Sequence, residues 1–169
     1  KNTVFSRNQL LTLANHEIGV HLVTTYNGML QPLKVFSNGF PKNVETQEGL
    51  AVFSEYMSGA LTLKRLKELA YRVLASDSLI KGYAMRVHRG GGFTKDRLYL
   101  SGLKKIYKRH KNGLSMDTLL TGKVTMESET TINRFKDLGL ANDLTHTNVA
   151  FEKNYNKNST LDFILDNLK

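Results

Sequence analysis

Two histidines and a glutamate near the start of the chain have the residue types of a metal-dependent hydrolase. They lie in the segment Asn15-His16-Glu17-Ile18-Gly19-Val20-His21. Imidazole nitrogens bind zinc, and a neighbouring carboxylate can take a proton from a water molecule that the metal activates. The spacing His-Glu-x-x-x-His is one residue longer than the familiar zinc-binding pattern on a helix. The backbone must therefore accommodate an extra residue.

A regular α-helix with this spacing would keep the two histidines from sharing one metal. Residues i and i+5 lie about 140° apart around the helix axis, compared with about 40° for residues i and i+4. A π-bulge takes up one extra residue within a turn, and such bulges are frequent at functional sites. Gly19 makes the distortion easier because it has no side chain. We therefore predict a distorted helix near Gly19; the alternative is a pair of histidines that only pack or face water.

Length and composition indicate one globular domain over residues 1–169. Hydrophobic residues make up 40% of the chain, which is enough for one substantial core. The chain has no cysteine, so a zinc site would need histidine and carboxylate ligands. No apolar run approaches the roughly 20 residues that span a bilayer, and a signal-peptide core is missing. We expect a cytoplasmic protein without membrane contact and, because it begins at Lys1, a segment of a longer protein.

A basic stretch carries most of the net charge of +9. Nine Lys or Arg residues and one acidic residue, Asp96, lie between Arg86 and Lys111. Such a stretch can attract nucleic acid, an acidic membrane or an acidic polypeptide, or it can be the solvated face of a helix. It supports a second interpretation of the chain, a regulatory or binding protein for a nucleic acid or an acidic partner, with a metal site that is not catalytic.

Helical periodicity dominates the chain, and no segment has a convincing strand pattern. A capping box at Ser6 opens the first helix, in which Leu10, Leu13 and Ile18 recur at helical spacing up to Asn27. Further helices are predicted from Thr46 to Met57, from Thr62 to Leu74, from Asp96 to Lys111, and near 115–121, 127–138 and 160–168, the last capped at Ser159. The predicted fold class is mainly α. Three consecutive glycines predict an irregular loop from Met85 to Arg97, and a short hairpin is the alternative.

A third ligand is needed because a catalytic zinc usually has three protein ligands. Where that ligand is a glutamate, it comes from a second helix packed against the first, and Glu48 in the second predicted helix suits this role. Glu45 and Glu55 are rivals. Glu55 lies seven residues after Glu48 on the same helix face, so it could instead orient a ligand histidine through a hydrogen bond.

Three motifs in order resemble the QEGLA-motif family, which includes bacterial proteins and the microtubule-associated tyrosine carboxypeptidases. They are His16-Glu17-Ile18-Gly19-Val20-His21, Thr46-Gln47-Glu48-Gly49-Leu50-Ala51-Val52 and Arg86-Val87-His88-Arg89-Gly90-Gly91-Gly92-Phe93-Thr94-Lys95-Asp96. The resemblance covers about residues 10–123 and implies a helical, gluzincin-like zinc metallocarboxypeptidase. It implies His16, His21 and Glu48 as zinc ligands and Glu17 as the general base.

The other candidate residues follow from the expected removal of a C-terminal residue, which by resemblance is aromatic, Tyr or Phe. Tyr99 can donate a hydrogen bond to the oxyanion, although a packing tyrosine is the simpler alternative. Arg86, Arg89 and Lys95 are candidates for binding the terminal carboxylate. The expected partner is the C-terminus of a peptide or protein, with an acidic tail attracted by the basic stretch, rather than nucleic acid. Residues 143–169 carry no motif of the family.

Overall fold

The computed structural model describes residues 4–77 and 95–168. Every regular element in these two ranges is helical, which confirms the predicted mainly-α class. None of the described helices is both long and apolar enough to cross a membrane. The glycine-rich loop and its alternative hairpin lie outside the described residues, except that a helix already begins at Lys95.

The N-terminal helix consists of three consecutive segments. These are α1 (Arg7–Leu13), a π-helical segment (Ala14–Leu22) and α2 (Val23–Met29). The predicted capping box is confirmed, because Ser6 Oγ accepts a hydrogen bond from the N–H of Gln9 and Gln9 Oε1 accepts one from the N–H of Ser6. The first segment, α1, buries none of its residues.

The central helix of the fold is α4 (Asn43–Met57), which follows a short helix α3 (Val35–Asn38) that the sequence does not predict. All residues of α4 from Thr46 onward are buried. Thr46, predicted to cap this helix, lies inside it; its hydroxyl group instead accepts a hydrogen bond from the N–H of Met126. The core of the described protein is therefore built around α4.

The remaining described helices surround the central one. They are α5 (Leu63–Asp77), α6 (Lys95–Lys111), α7 (Asp117–Leu120), a 3-10 turn (Met126–Ser128) that leads into α8 (Glu129–Asp137), α9 (Val149–Glu152) and α10 (Ser159–Asp166). Of these, the sequence predicts all but the 3-10 turn and α9. The predicted cap at Ser159 is wrong, since the side chain of Asn158 accepts the hydrogen bonds of the first turn.

Two glycines allow α4 and α6 to cross with their backbones in contact. A Cβ atom on Gly49 would meet backbone atoms of Gly102, and one on Gly102 would lie 2.8 Å from the Cα of Gly49. Leu50 of α4 and Leu103 of α6, the residues that follow these glycines, are fully buried in the same core. The crossing fixes α4 against the helix that carries Tyr99.

The segment after α8 is tied to the N-terminal helix by side-chain amides. Asn27 donates hydrogen bonds to the carbonyl oxygens of Leu120 and His146, each at 2.8 Å, and accepts one from the N–H of His146 at 2.9 Å. Gln31 accepts a hydrogen bond from the N–H of Asn142 at 2.7 Å. His146, in the segment 143–169 to which the sequence assigns no role, thus helps to hold α2 in place.

Candidate metal centre

The π-helical segment solves the spacing problem of the two histidines. The N–H of Val23 donates a hydrogen bond to the carbonyl oxygen of Ile18, five residues earlier, which is the pattern of a π-helix. In such a turn, residues five apart lie on the same side of the helix. The rings of His16 and His21 accordingly meet edge to face, with their centroids 5.1 Å apart. The predicted distortion around Gly19 is confirmed.

Glu48 of α4 joins the two histidines in one group. Nε2 of His16 lies 3.5 Å from Oε2 of Glu48, and Nε2 of His21 lies 3.7 Å from the same oxygen. One ligand atom from each residue lies within 4.8 Å of the other two. Ligand atoms at tetrahedral positions around zinc are about 3.4 Å apart, given metal–ligand distances of about 2.0–2.2 Å. The two imidazoles and one carboxylate could therefore hold a metal ion, and their donor types are ones that zinc accepts.

A fully buried carboxylate holds the other side of the His16 ring. Oε1 of Glu55 lies 2.8 Å from Nδ1 of His16. Arg65 of α5 donates hydrogen bonds to both oxygens of Glu55, at 3.3 and 3.4 Å. With Nδ1 engaged in this way, Nε2 is the nitrogen of His16 that can bind a metal. Glu55 thus lies in the orienting position considered from the sequence and not among the three candidate ligands.

The charges around His16 favour a cation at this point. Burial alone would lower the pKa of His16, but the hydrogen bonds and negative charges of Glu48 and Glu55 outweigh it and raise the pKa to about 9. Two carboxylates beside one imidazole therefore stabilise positive charge here. A metal ion supplies such charge when the imidazole itself is neutral.

The grouped residues line a cavity of about 410 Å³. This volume lies within the usual range of small-ligand sites, about 300–1,000 Å³. The cavity lies between the N-terminal helix, the first half of α4, the start of α6 and the segment after α7. Its lining residues are His16, Glu17, His21, Thr24, Thr25, Asn43, Val44, Gln47, Glu48, Tyr99 and Lys123.

Both candidate catalytic residues line the same cavity as the grouped ligands. Glu17 is exposed, although the adjacent His16 is buried. Tyr99 is half-buried, and its ring stacks on that of His16 with the centroids 6.2 Å apart. The structure brings these residues together with the candidate ligands, while their roles in catalysis stay predictions.

The candidates for binding a terminal carboxylate are mostly outside the described residues. Arg86 and Arg89 lie there, and Lys95 is the first residue of α6 with a side chain outside the described part. The structure instead brings Lys123 to the cavity. Nothing in the sequence pattern marks this residue, because a single lysine after a glycine usually belongs to a solvated loop.

Three basic residues of the described part of the basic stretch are paired with carboxylates. Arg109 is buried and donates two hydrogen bonds of 2.6 Å to Glu129, the arrangement expected for a strong ion pair. Two further pairs are Lys105–Glu45 at 2.6 Å and Lys111–Asp166 at 3.1 Å. Pairing therefore reduces the positive charge that residues 95–111 offer to a nucleic acid, and it occupies Glu45, the other rival for the third ligand.

One family accounts for both halves of the chain. The family model described as microtubule-associated tyrosine carboxypeptidase matches residues 1–85 and residues 83–169. Comparison with curated proteins and with solved structures gives no match. The resemblance to these carboxypeptidases that the ordered motifs indicate is confirmed, and it extends over the segment after residue 143, where the sequence shows no motif. The chain belongs to the microtubule-associated tyrosine carboxypeptidase family.

Proposed function

We propose that this protein is a zinc-dependent metallocarboxypeptidase that removes a C-terminal aromatic residue, Tyr or Phe, from a peptide or protein. The observation that carries the proposal is the convergence of His16, His21 and Glu48 at a cavity that Glu17 also lines. The family name supports the reaction class, since it describes a carboxypeptidase that acts on tyrosine. His16, His21 and Glu48 would hold the zinc ion.

The reaction requires a nucleophile, a proton carrier and a donor for the oxyanion. Zinc, when bound, would polarise the scissile carbonyl group and lower the pKa of a water molecule towards about 7. Glu17 accepts a proton from the attacking water and transfers it to the leaving amine. Tyr99 donates a hydrogen bond to the carbonyl oxygen as negative charge develops there. Glu55 keeps the His16 ring in the orientation that metal binding needs.

The expected substrate is the C-terminus of a peptide or protein. A cavity of about 410 Å³ suits one terminal residue better than a long chain segment. The family name describes association with microtubules, and a protein tail is the corresponding class of partner here. An acidic tail would be attracted by the exposed lysines of α6, Lys104 and Lys108.

Trimming of defined peptides tests this function directly. Protein saturated with zinc is incubated with peptides that differ only in a final Tyr, Phe or Ala, and the products are measured by mass spectrometry. We expect loss of one residue, fastest for Tyr and Phe. Glu17→Gln should lower the rate about 100- to 10,000-fold and still bind zinc. Glu68→Gln, at an exposed position of α5, is the matched control.

Two results would overturn the proposal. One is a protein that binds no zinc when the metal is in excess; the other is trimming that Glu17→Gln leaves unchanged. Salt-sensitive binding of nucleic acid or of an acidic polypeptide by a protein that trims no peptide would favour the binding protein considered from the sequence.

A further inference from the structure

Lys123 reaches the cavity from a segment that contributes none of the candidate ligands. Its backbone is fixed on both sides, because its N–H donates to the carbonyl oxygen of Phe36 and its carbonyl oxygen accepts from the N–H of Phe40, each at 2.8 Å. The preceding Gly122 packs closely as well, since a Cβ atom there would lie 2.7 Å from the carbonyl oxygen of Phe36. Backbone contacts therefore hold Lys123 at the wall of the cavity.

The positive charge of Lys123 is not used within the described fold. Its side chain is half-buried, yet it makes no ion pair in the ranges 4–77 and 95–168. By contrast, Lys105, Arg109 and Lys111 are each paired with a carboxylate. A partly desolvated ammonium group without a partner is unfavourable. The charge of Lys123 is thus available for an anion that enters the cavity.

We propose that Lys123 binds the free C-terminal carboxylate of the substrate and thereby makes the site an exopeptidase site. The proposal rests on the function proposed above. A carboxylate and an ammonium group form a charge-assisted hydrogen bond that is stronger in a partly buried site. The terminal residue would lie between Lys123 and the group of His16, His21 and Glu48. A single residue spans at most about 3.6 Å of backbone. With its carboxylate held by Lys123, a substrate would therefore present only its last peptide bond to this group.

Polar side chains at the same cavity support this assignment. Asn43, Gln47 and Thr25 line it together with Lys123. The amide nitrogens of Asn43 and Gln47 each donate one hydrogen bond to a backbone carbonyl oxygen. Each has a second N–H, which could donate to a carboxylate, as could the hydroxyl group of Thr25. Glu17 and Glu48, the two acidic residues of the cavity lining, belong to the proposed catalytic and metal-binding groups. Among the described residues of the lining, Lys123 is therefore the one whose chemistry suits the carboxylate.

The test compares two peptides that differ only at their C-terminus, one with a free carboxylate and one with a carboxamide. Affinity is measured by titration calorimetry with the zinc-loaded Glu17→Gln variant, in which turnover does not interfere. Adding Lys123→Met should weaken binding of the free acid by about 10- to 100-fold and leave binding of the amide within about twofold. Lys123→Arg should keep most of the preference. Lys67→Met, an exposed lysine of α5, should change neither affinity.

The outcomes separate this inference from the function on which it rests. Equal losses for the two peptides, or an unchanged preference in Lys123→Met, would overturn the role of Lys123. In the variants with Glu17 intact, the same role predicts an increase in KM for the free acid with little change in kcat. If the zinc-loaded protein with both Glu17 and Lys123 intact trims no peptide, the proposed function is overturned instead. If Lys123→Met does not fold, Lys123→Gln is used in the same comparison.

Discussion

The two helices that supply the candidate ligands are held in the protein by different forces. Helix α4, which carries Glu48, is buried from Thr46 to Met57 and forms the centre of the hydrophobic core. The π-helical segment that carries the two histidines buries His16 and Val20. Ile18 in the same segment is 59% exposed. Apolar burial therefore stabilises the first of these helices far more than the second.

The N-terminal helix is held mainly by directional polar contacts. Four of its residues are hydrogen-bonded to α4 or to the C-terminal part of the chain. These contacts join Asn15 to Ser54, His16 to Glu55, Thr24 to Gln47, and Asn27 to Leu120 and His146. Apolar contacts tolerate small rotations, whereas hydrogen bonds weaken steeply with angle. The polar contacts thus fix how the helix is turned about its axis, and with it the direction of the histidines.

The largest effect is expected where α4 meets another backbone. Alanine is a better helix former than glycine by about 1 kcal/mol, but a Cβ atom on Gly49 would overlap backbone atoms of Gly102, which cannot move aside. We expect Gly49→Ala to lower the free energy of unfolding by about 3 kcal/mol or more, measured by urea denaturation. A loss below about 1 kcal/mol would contradict the backbone contact between α4 and α6.

The polar attachment of the N-terminal helix is tested at Asn27. Replacing this residue with alanine removes three hydrogen bonds, one of which satisfies the carbonyl oxygen of the buried Leu120. We expect Asn27→Ala to lower the free energy of unfolding by about 2–3 kcal/mol. Asn142→Ala, which removes one exposed hydrogen bond to Leu30, should cost less than about 1 kcal/mol. Similar losses in the two variants would show that the attachment at Asn27 is not special.

The pH dependence of the metal-free protein tests how the carboxylates around His16 stabilise its positive charge. Because the pKa of His16 is raised to about 9, the folded protein binds a proton that the unfolded chain releases above about pH 6.5. This stabilisation is complete below pH 6.5 and is lost as the pH rises through 9. In the presence of a chelator, the free energy of unfolding should fall by about 2–3 kcal/mol between pH 6.5 and 9. If the free energy of unfolding depends on pH in the same way in the wild type and in His16→Gln, this prediction is contradicted.

The contact between the two helices at Glu55 should affect metal binding more than folding. Glu55→Gln keeps the shape of the side chain but weakens the hydrogen bond that orients His16. We expect the zinc affinity to fall at least about tenfold, which corresponds to about 1.4 kcal/mol. The affinity is measured by competition with a chromogenic chelator. Glu45→Gln, which removes an ion pair to Lys105 away from the cavity, serves as the control and should bind zinc as the wild type does.

Features that depend on neighbouring residues could be predicted from the sequence. The capping box at Ser6 and the break of α6 before Gly113, a glycine with φ of 71°, follow from local chemistry. The distortion at the histidines could also be predicted, because two imidazoles five residues apart cannot otherwise meet. The periodicity of Leu10, Leu13 and Ile18 marked a helix correctly, although all three side chains are exposed.

Contacts between distant segments could not be predicted in the same way. Thr46 is a good capping residue by type, but its hydroxyl group is used by Met126, 80 residues later. Asn27 and His146 are 119 residues apart, and neither lies in a pattern that indicates the other. Lys123 is brought to the cavity by backbone hydrogen bonds with Phe36 of α3 and with Phe40. Such pairings depend on the packing of the whole domain and not on local propensity.

The smallest effect on stability is expected at Gly19, which lies in the π-helical segment of the N-terminal helix as Gly49 lies in α4. A Cβ atom there would lie 2.7 Å from Nδ2 of Asn148. Unlike a backbone, this side chain can rotate, and alanine favours the helix by about 1 kcal/mol, so we expect Gly19→Ala to change the free energy of unfolding by less than about 1 kcal/mol. The consequence should appear in the candidate metal site. Alanine favours a regular α-helix over the π-helical turn, and a regular helix would separate His16 from His21. A stability loss equal to that of Gly49→Ala would show that the two helices are held with equal rigidity.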